Sequence, residues 1–459
     1  MTRLFGTDGV RGVANQALTP ELAYALGRYG AYVLLQKSAV ERPRVLVGRD
    51  TRISGQMLEA ALTAGINSVG ADVLQVGVLP TPGVAYLTKA WGADCGVMIS
   101  ASHNPVADNG IKFFSRDGFK LLDDVEDEIE AVISDAAPGG RLCLSPKDGL
   151  PRPTGKDVGR VVVRTDAIEC YTEFLKQTIS SDLTGLKVVV DCGYGAAYQV
   201  TPRVLRDLGA TVISLHDRPD GININMGCGS THPQAVAAAV KEHKADVGLA
   251  HDGDADRLIA IDEQGQVIDG DYIMVICGLH LLGQGKLAQN RVAVTVYSNL
   301  GVRAALRAAG GDVVITANGD RYVLEAMQKQ GLNLGGEQSG HIIFLDHNTT
   351  GDGVLTSLQL LAVLQEAAQP LSVLAKQLKK YPQLLRNVPV TNKHDWEKNE
   401  SIRKAIGAAT ERLGDSGRIF VRASGTEPLI RVMAEGPEVA VVEEAVNAVA
   451  QVIDSELGG

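Results

Sequence analysis

Arg44-Val-Leu-Val-Gly-Arg-Asp50 is an apolar run closed by charge, and its reading decides the fold. The run is short and Val/Leu-rich, as a strand buried on both faces requires. A helical stretch follows from about Gly55 to Val69, and Gly70-Ala-Asp-Val73 then leads into another strand. The same plan returns at Lys187-Val-Val-Val-Asp191 with Gly209-Ala-Thr-Val212. It returns again at Arg291-Val-Ala-Val-Thr-Val296 with Gly310-Gly-Asp-Val313. Each unit reads as strand, helix, parallel strand, the glycine ending the helix. Three such units far apart predict three related α/β domains with mixed, mostly parallel sheets. One large doubly wound sheet is the alternative. A Gly/Pro-rich interruption from Ala137-Pro-Gly-Gly140 through Pro151-Arg-Pro153 favours separate domains.

Past about Pro370 the plan breaks. Asn387-Val-Pro-Val390, Arg418-Ile-Phe-Val-Arg422 and Leu429-Ile-Arg-Val-Met433 read as strands, and a helix runs from Glu438 to about Ser455. This is a small C-terminal α+β domain. The expected division is 1–155, 156–257, 258–373 and 374–459. Near the start, Thr19-Pro20-Glu21 opens a helix with Thr as N-cap and Pro at the first helical position; it should run to about Gln36.

The 459 residues have 45% hydrophobic content, enough for several cores. Glycine is 51 of them, above the usual level of about 7%, which suits many tight strand-to-helix turns. A net charge of −10 argues against a nucleic-acid surface, since phosphate backbones demand excess Lys and Arg. Six scattered cysteines (Cys95, Cys143, Cys170, Cys192, Cys228, Cys277) show no zinc spacing and suit a reducing compartment. The opening residues lack the apolar core of a signal peptide, and no run of about 18 apolar residues offers a membrane span. The expectation is a soluble, cytoplasmic protein with no membrane partner.

Four motifs carry chemistry. The loop Ser100-Ala-Ser-His-Asn-Pro-Val-Ala-Asp-Asn-Gly110 lies between the strand-like Cys95–Ile99 and Ile111-Lys-Phe-Phe114. It could be an ordinary turn, yet Ser102 becomes a phosphate acceptor if a base takes its proton and donors hold the transferring oxygens. His103, Asn104 and Lys112 are the candidates near it. His251-Asp-Gly-Asp-Ala-Asp-Arg257 places three carboxylates at alternate positions, which repel unless a cation neutralises them; oxygen ligands suit Mg²⁺. An EF-hand is rejected because Arg257 stands where glycine is needed and strands flank the loop. Gly335-Gly-Glu-Gln-Ser-Gly-His341 offers Glu337, Ser339 and His341 to sugar hydroxyls. Arg422-Ala-Ser-Gly-Thr-Glu-Pro428, with Arg431 beyond, combines guanidinium groups, hydroxyls and backbone N–H groups into an anion pocket. The opening Phe5-Gly-Thr-Asp-Gly-Val-Arg11 is no dinucleotide fingerprint, being a tight turn or a pocket that presents Arg11.

Ser102-His-Asn-Pro105, Asp252-Gly-Asp-Ala-Asp-Arg257, Gly336-Glu-Gln-Ser-Gly340 and Arg422-Ala-Ser-Gly-Thr426 together resemble, in order and spacing, the motifs of the α-D-phosphohexomutases. The resemblance covers essentially the whole chain. The opening motif, Glu337-Gln-Ser339 and Ser424-Gly-Thr-Glu-Pro428 resemble the branch acting on glucosamine phosphates, with the mannose and glucose branch as the alternative. Two departures, Ala255 where glycine is common and Ala423 where Lys or Pro is common, remove no ligand.

The resemblance implies a four-domain, heart-shaped enzyme with a central cleft, interconverting glucosamine 6-phosphate and glucosamine 1-phosphate for UDP-N-acetylglucosamine and the cell wall. It implies a phosphoserine at Ser102 and a 1,6-bisphosphate of glucosamine or glucose as intermediate and activator. One Mg²⁺ per subunit would be held by Ser102, Asp252, Asp254 and Asp256. His103, Lys112, Arg11 and Arg257 would serve the transfer, with Lys112 a candidate general base. Glu337, Ser339 and His341 would hold the sugar, and Arg422, Ser424, Gly425, Thr426 and Arg431 the phosphate not reacting. A homodimer is compatible with the sequence. A phosphoserine-type phosphatase would pass the same intermediate to water, but has no use for a distal phosphate pocket. A non-enzymatic metal-binding protein leaves Ser102 and the Arg422 pocket unexplained.

Overall fold

In a computed structural model the chain forms four sheets. The described residues are 3–6, 8–36, 40, 42–136, 149–393, 396–424 and 428–458. The expected interruption at 137–140, Cys143 and Thr7 of the opening motif fall outside them.

The first sheet holds β1 (Val10–Val13), β2 (Arg44–Arg49), β3 (Asp72–Val78), β4 (Cys95–Ile99), β5 (Asp108–Ser115) and β6 (Val161–Val163), in the order β1-β5-β4-β2-β3-β6. The unit read from Arg44 is present: β2 and β3 pair in parallel, joined by helix Ser54–Asn67. β4 is buried along its whole length and pairs with β2 in parallel. β5 begins at Asp108, earlier than the turn-like Asp108-Asn-Gly110 suggested. The cause is β1, which pairs antiparallel with those residues and sets Arg11 opposite Gly110. The helix expected after Thr19 spans Pro20–Leu35, with a π-helical stretch at Leu26–Gly30; the Thr19 hydroxyl accepts from Leu22 N as its cap.

The second sheet contains β7 (Lys187–Asp191), β8 (Thr211–Leu215), β9 (Val247–His251), β10 (Leu258–Asp262) and β11 (Val267–Ile268), ordered β11-β10-β9-β7-β8. β7 pairs in parallel with β8 and β9, and β10 folds back antiparallel on β9. Both β6 and β10 lie beyond the expected cuts at 155 and 257, yet complete the sheets before them. The third sheet is β12 (Arg291–Thr295), β13 (Asp312–Thr316), β14 (Leu334–Gly336) and β15 (Ile342–Phe344), ordered β13-β12-β14-β15. The fourth is antiparallel, β16 (Gln383–Pro389), β17 (Arg418–Ala423) and β18 (Leu429–Glu435), with β18 central and helices Glu400–Leu413 and Val439–Leu457 beside it.

The chain gathers into two compact units. Residues 1–296 with 314–375 hold the first two sheets and most of the third; residues 297–313 with 376–459 hold the fourth. Among the described residues no single helix is long and apolar enough to cross a membrane.

Candidate active site

The Ser102 loop leaves the end of β4 and is held from beneath by charge. Arg52, fully buried, donates from its guanidinium to the carbonyl oxygens of Ser102 (2.8 Å), Asn104 (2.8 Å) and Pro105 (2.5 Å). Its Nε meets Asp50 at 2.9 Å, and the same Asp50 oxygen accepts from the Ser100 hydroxyl at 2.7 Å. Ser100 Oγ in turn accepts from Ser102 N at 2.9 Å. Asn225, from the second sheet's loops, donates to Ser102 O (2.8 Å) and Asn104 O (3.1 Å). So gripped, Ser102 sits at φ 51°, the left-handed region that a non-glycine residue rarely holds without such support.

The acidic motif is the turn between β9 and β10. Ser102 Oγ donates to Asp252 Oδ2 at 2.5 Å, and His103 Nδ1 stands 3.2 Å from the same hydroxyl. Gly253 makes this approach feasible, because a Cβ there would lie 2.6 Å from Ser102 O. Asp254 Oδ2 accepts from Lys112 Nζ (2.9 Å) and the Thr81 hydroxyl (2.6 Å). Beneath the turn, His251 is buried, its Nδ1 3.1 Å from Arg257 O and its Nε2 3.2 Å from Thr201 Oγ. Burial pushes its pKa down to about 4, so the ring is neutral, giving its proton to the carbonyl and accepting from the hydroxyl.

One carboxylate oxygen from each of Asp252, Asp254 and Asp256 lies within 4.8 Å of the others, and all three residues are buried. Asp254 Oδ1 and Asp256 Oδ1 accept no hydrogen bond among the described residues. Burial, then the charges of Asp256 and Asp254, hold the Asp252 carboxyl well above the usual range. Buried oxygens left without donors, in a site too negative to ionise fully, are what a divalent cation would satisfy. The donor set is oxygen only, which fits Mg²⁺.

Cations surround this cluster. Burial disfavours the Lys112 ammonium, but Asp254 and Asp8 outweigh that and raise its pKa. Lys112 Nζ is 2.9 Å from Asp8 Oδ2, and Asp8 also binds Arg11 and Lys120; Lys120 continues to Asp320. Arg257 Nε lies 3.8 Å from Asp256. His103 is pushed below its usual pKa, first by burial and then by Arg257 and Arg11, so it faces Ser102 as a neutral base.

The third motif leans on the second. Gly340 packs against the start of β10: Leu258 N donates to Gly340 O at 3.0 Å, and a Cβ at Gly340 (φ +93°) would meet Leu258 O at 2.1 Å. Glu337 and Ser339 are half-buried beside it, 3.3 Å apart, with Glu337 Oε1 accepting from Gly319 N. His341, the third candidate of this motif, lies deeper than Glu337 and Ser339. It is 3% exposed, 3.9 Å from Asp256 and 3.7 Å from Asp320, facing carboxylates.

The second unit carries the fourth motif. Arg422 and Arg431 stand directly opposite on β17 and β18, and Arg422 lies 5.3 Å from the Tyr297 ring centre. Ser424 is buried, its carbonyl accepting from Lys393 Nζ at 2.8 Å. Gly425 and Thr426 lie outside the described residues.

The first unit brings together the sequence candidates Ser102, His103, Lys112, Arg11, Arg257 and the three aspartates. The sequence reading did not single out Asp50, Arg52, Asn225, Thr81, Asp8 and Lys393, which contact these candidates or the loops that carry them. A signal existed for the first two: Arg49-Asp-Thr-Arg52 are charged residues at the carboxyl end of a buried parallel strand, where α/β sheets place their sites.

Comparison with known proteins gives this arrangement a family. Models of phosphoglucomutase/phosphomannomutase match in order: alpha/beta/alpha domain I at residues 2–138, domain II at 169–265, domain III at 269–381 and the C-terminal domain at 385–452. The chain belongs to the phosphoglucomutase/phosphomannomutase family, the α-D-phosphohexomutases, and is an enzyme of that class. Within it, the curated phosphoglucosamine mutase of Heliobacterium modesticaldum is 58% identical over 458 residues, covering 98% of this chain and 99% of that one. Such similarity places the chain in the phosphoglucosamine mutase branch and not with the mannose and glucose enzymes. A phosphoglucomutase/phosphomannomutase family protein of Burkholderia thailandensis shares the fold at TM-score 0.82 and 24% identity, over 99% of this chain and 98% of that one. The N-acetylphosphoglucosamine mutase of Aspergillus fumigatus, solved with GlcNAc-6P and magnesium, does so at TM-score 0.66 and 17% identity, over 98% and 95%. The family implies a metal ion, typically Mg²⁺, and the aspartate triplet is able to hold one.

Proposed function

We propose that the chain interconverts glucosamine 6-phosphate and glucosamine 1-phosphate by passing a phosphoryl group through Ser102. The observation that carries this reading is the Ser102 hydroxyl at 2.5 Å from Asp252, beside two buried carboxylate oxygens without donors. In the first half-reaction the Oγ–P bond of phosphoserine breaks and a bond from phosphorus to the free sugar hydroxyl forms, the hydroxyl losing a proton and Ser102 gaining one. In the second, the bond from the other phosphorus to its sugar oxygen breaks and the Oγ–P bond is remade, Ser102 losing the proton and the sugar oxygen gaining it. His103, neutral and 3.2 Å from Oγ, is the group that exchanges the serine proton. Lys112, expected as a candidate base, is instead the fixed positive charge, because its ammonium is spent on Asp254 and Asp8. Arg11 and Arg257 add charge where the phosphoryl oxygens pass.

Asp252, Asp254, Asp256 and a phosphoserine oxygen would hold one Mg²⁺ per subunit, whose chemistry is to draw charge from the transferring group. Glu337 and Ser339 take sugar hydroxyls; His341, facing Asp256 and Asp320, braces the metal turn from behind. Arg422, Ser424, Arg431 and, by sequence, Gly425 and Thr426 take the phosphate that is not reacting. Arg422 and Arg431 are register partners on β17 and β18, so two guanidinium-bearing residues come from one place on the hairpin, which supports this use. The 1,6-bisphosphate of glucosamine is the intermediate and either it or the glucose analogue the activator. The product feeds UDP-N-acetylglucosamine in the cytoplasm, and a homodimer is the proposed assembly. The chain divides in four near the expected cuts, with the first two moved to follow Val163 and Ile268, so that no sheet is split.

A coupled assay with glucosamine, glucose and mannose 6-phosphates, each with bisphosphate and Mg²⁺, tests the reading. Glucosamine phosphate should give the highest kcat/KM. Equal or better turnover of mannose phosphate would reassign the chain to the sister activity.

A further inference from the structure

The second sheet holds another group of metal-ligating side chains away from the aspartate triplet. Asp191 ends β7, and His216 follows β8, its parallel neighbour, so carboxylate and imidazole emerge from one end of the sheet. Cys228 reaches them from the loop after β8. One ligand atom from each of the three lies within 4.8 Å of the others. We infer that Asp191, His216 and Cys228 form a site for a soft divalent ion such as Zn²⁺.

The carboxylate is aimed before any ion arrives. Asp191 Oδ1 accepts from Gly193 N (2.8 Å) and Oδ2 from Gly229 N (2.9 Å), which fixes its plane. His216 Nδ1 is buried and 3.0 Å from Asp191 Oδ1, close enough for the carboxylate to raise the imidazole pKa, but it lies off the line of a well-formed hydrogen bond. A ring nitrogen so close to a carboxylate oxygen, but misaligned with it, suits two ligands converging on a shared cation. Asp191 and Cys228 are buried, while the His216 side chain is 24% exposed and gives an ion its way in.

The donors choose the metal. Oxygen, nitrogen and sulfur together disfavour Mg²⁺ and favour Zn²⁺ in tetrahedral geometry, with water as the fourth ligand. Zinc bonds of about 2.0–2.3 Å set ligand atoms roughly 3.3–3.8 Å apart, so side-chain rotation suffices to close the group. Without an ion, burial pushes the Cys228 thiol up to about 12; on binding, the sulfur gives its proton to solvent and becomes the thiolate ligand.

The consequence lies in the backbone. Tyr194 (φ 49°), His216 (φ 49°) and Asn225 (φ 58°) all hold left-handed conformations around the group. Tyr194 O accepts from the Thr51 hydroxyl at 2.6 Å, and Asn225 supports the Ser102 carbonyl. An ion here would pin both segments that brace the phosphoserine loop, without touching a reacting atom. A plain Asp191–His216 ion pair is the competing account.

Co²⁺ is the probe, added to reduced full-length protein in saturating Mg²⁺, which fills the aspartate triplet. One equivalent should give near-ultraviolet thiolate charge-transfer absorption and the intense visible bands of four-coordinate Co²⁺, and Zn²⁺ should bleach both. Cys228→Ser should remove the charge-transfer band. His216→Asn, which keeps a residue suited to the left-handed backbone there, should weaken Co²⁺ binding by at least ~100-fold with the circular dichroism spectrum unchanged, since even changes beyond the ligands cost 10- to 100-fold. Asp252→Asn should leave the band intact. No band in the wild-type protein, or a band that survives Cys228→Ser or His216→Asn, would overturn the assignment.

Discussion

The Ser102–Asp252 region and the Arg422–Arg431 hairpin, the two places proposed to take phosphate, are built oppositely. In the first, the carbonyls of Ser102, Asn104 and Pro105 are held by Arg52, and Asn225 grips the first two as well. The serine and the three aspartates are buried. In the second, two arginines stand opposite one another in the register of a strand pair, with Arg422 near an aromatic ring. Bond making needs atoms fixed within a fraction of an ångström, and buried, over-determined loops deliver that. Holding either end of a substrate that binds in two orientations needs charge more than fixed geometry.

The sharpest break in that comparison is at Ser102. Ser102→Ala should lower turnover by several orders of magnitude with folding unchanged, since no neighbouring group can carry the phosphoryl. Intact-mass analysis should find one phosphate on the wild-type protein and none on the variant; phosphate persisting on another serine would relocate the site. Chelation should act on the same scale. Activity should vanish in EDTA and return with Mg²⁺, and undiminished turnover in chelator would remove the aspartates from the mechanism.

Next in size is Arg52→Ala. It strands Asp50 in a fully buried place, a loss that typically costs about 3–5 kcal/mol. Denaturant melts should show that loss together with poor phosphorylation of Ser102. Stability within ~1 kcal/mol of wild type would mean the loop is held by other contacts. Arg431→Ala should behave in the reverse way. Removing one of two opposed charges should leave stability nearly unchanged, while KM for both sugar phosphates rises roughly ten- to a hundredfold, the value of one charge-assisted hydrogen bond. A rise for one substrate alone would show that the hairpin serves a single orientation. The smallest effect is at Ala255, buried in the aspartate turn at φ 57°. Ala255→Gly should stabilise by a few tenths to about 1 kcal/mol, because glycine adopts that backbone without strain. A destabilised variant would show that the methyl group's packing outweighs the backbone.

Much of this was legible in the residues themselves. Ser102-His-Asn-Pro and Asp252-Gly-Asp-Ala-Asp are local signals, and β2, β4, β7 and β12 are buried Val-rich runs whose period needs no partner to be read. What escaped is what only the fold creates. Arg52 is 50 residues from Ser102, Asn225 is 123 away, and Thr81 is 173 from Asp254. In sequence each is an ordinary polar residue near a strand end. The early start of β5 and the reach of the second sheet past residue 257 have the same cause: pairing with β1 and β9 turned apparent loop and boundary into ladder.

The central claim is that Ser102 gives its phosphate to sugar and never to water. Protein labelled with ³²P on Ser102, mixed with one equivalent of glucosamine 6-phosphate and quenched through a single turnover, tests it directly. The account predicts label first in glucosamine 1,6-bisphosphate and then in glucosamine phosphate, with almost none released as inorganic phosphate. Label that appears in inorganic phosphate at the rate of turnover, or stays on the protein while product forms, would contradict it.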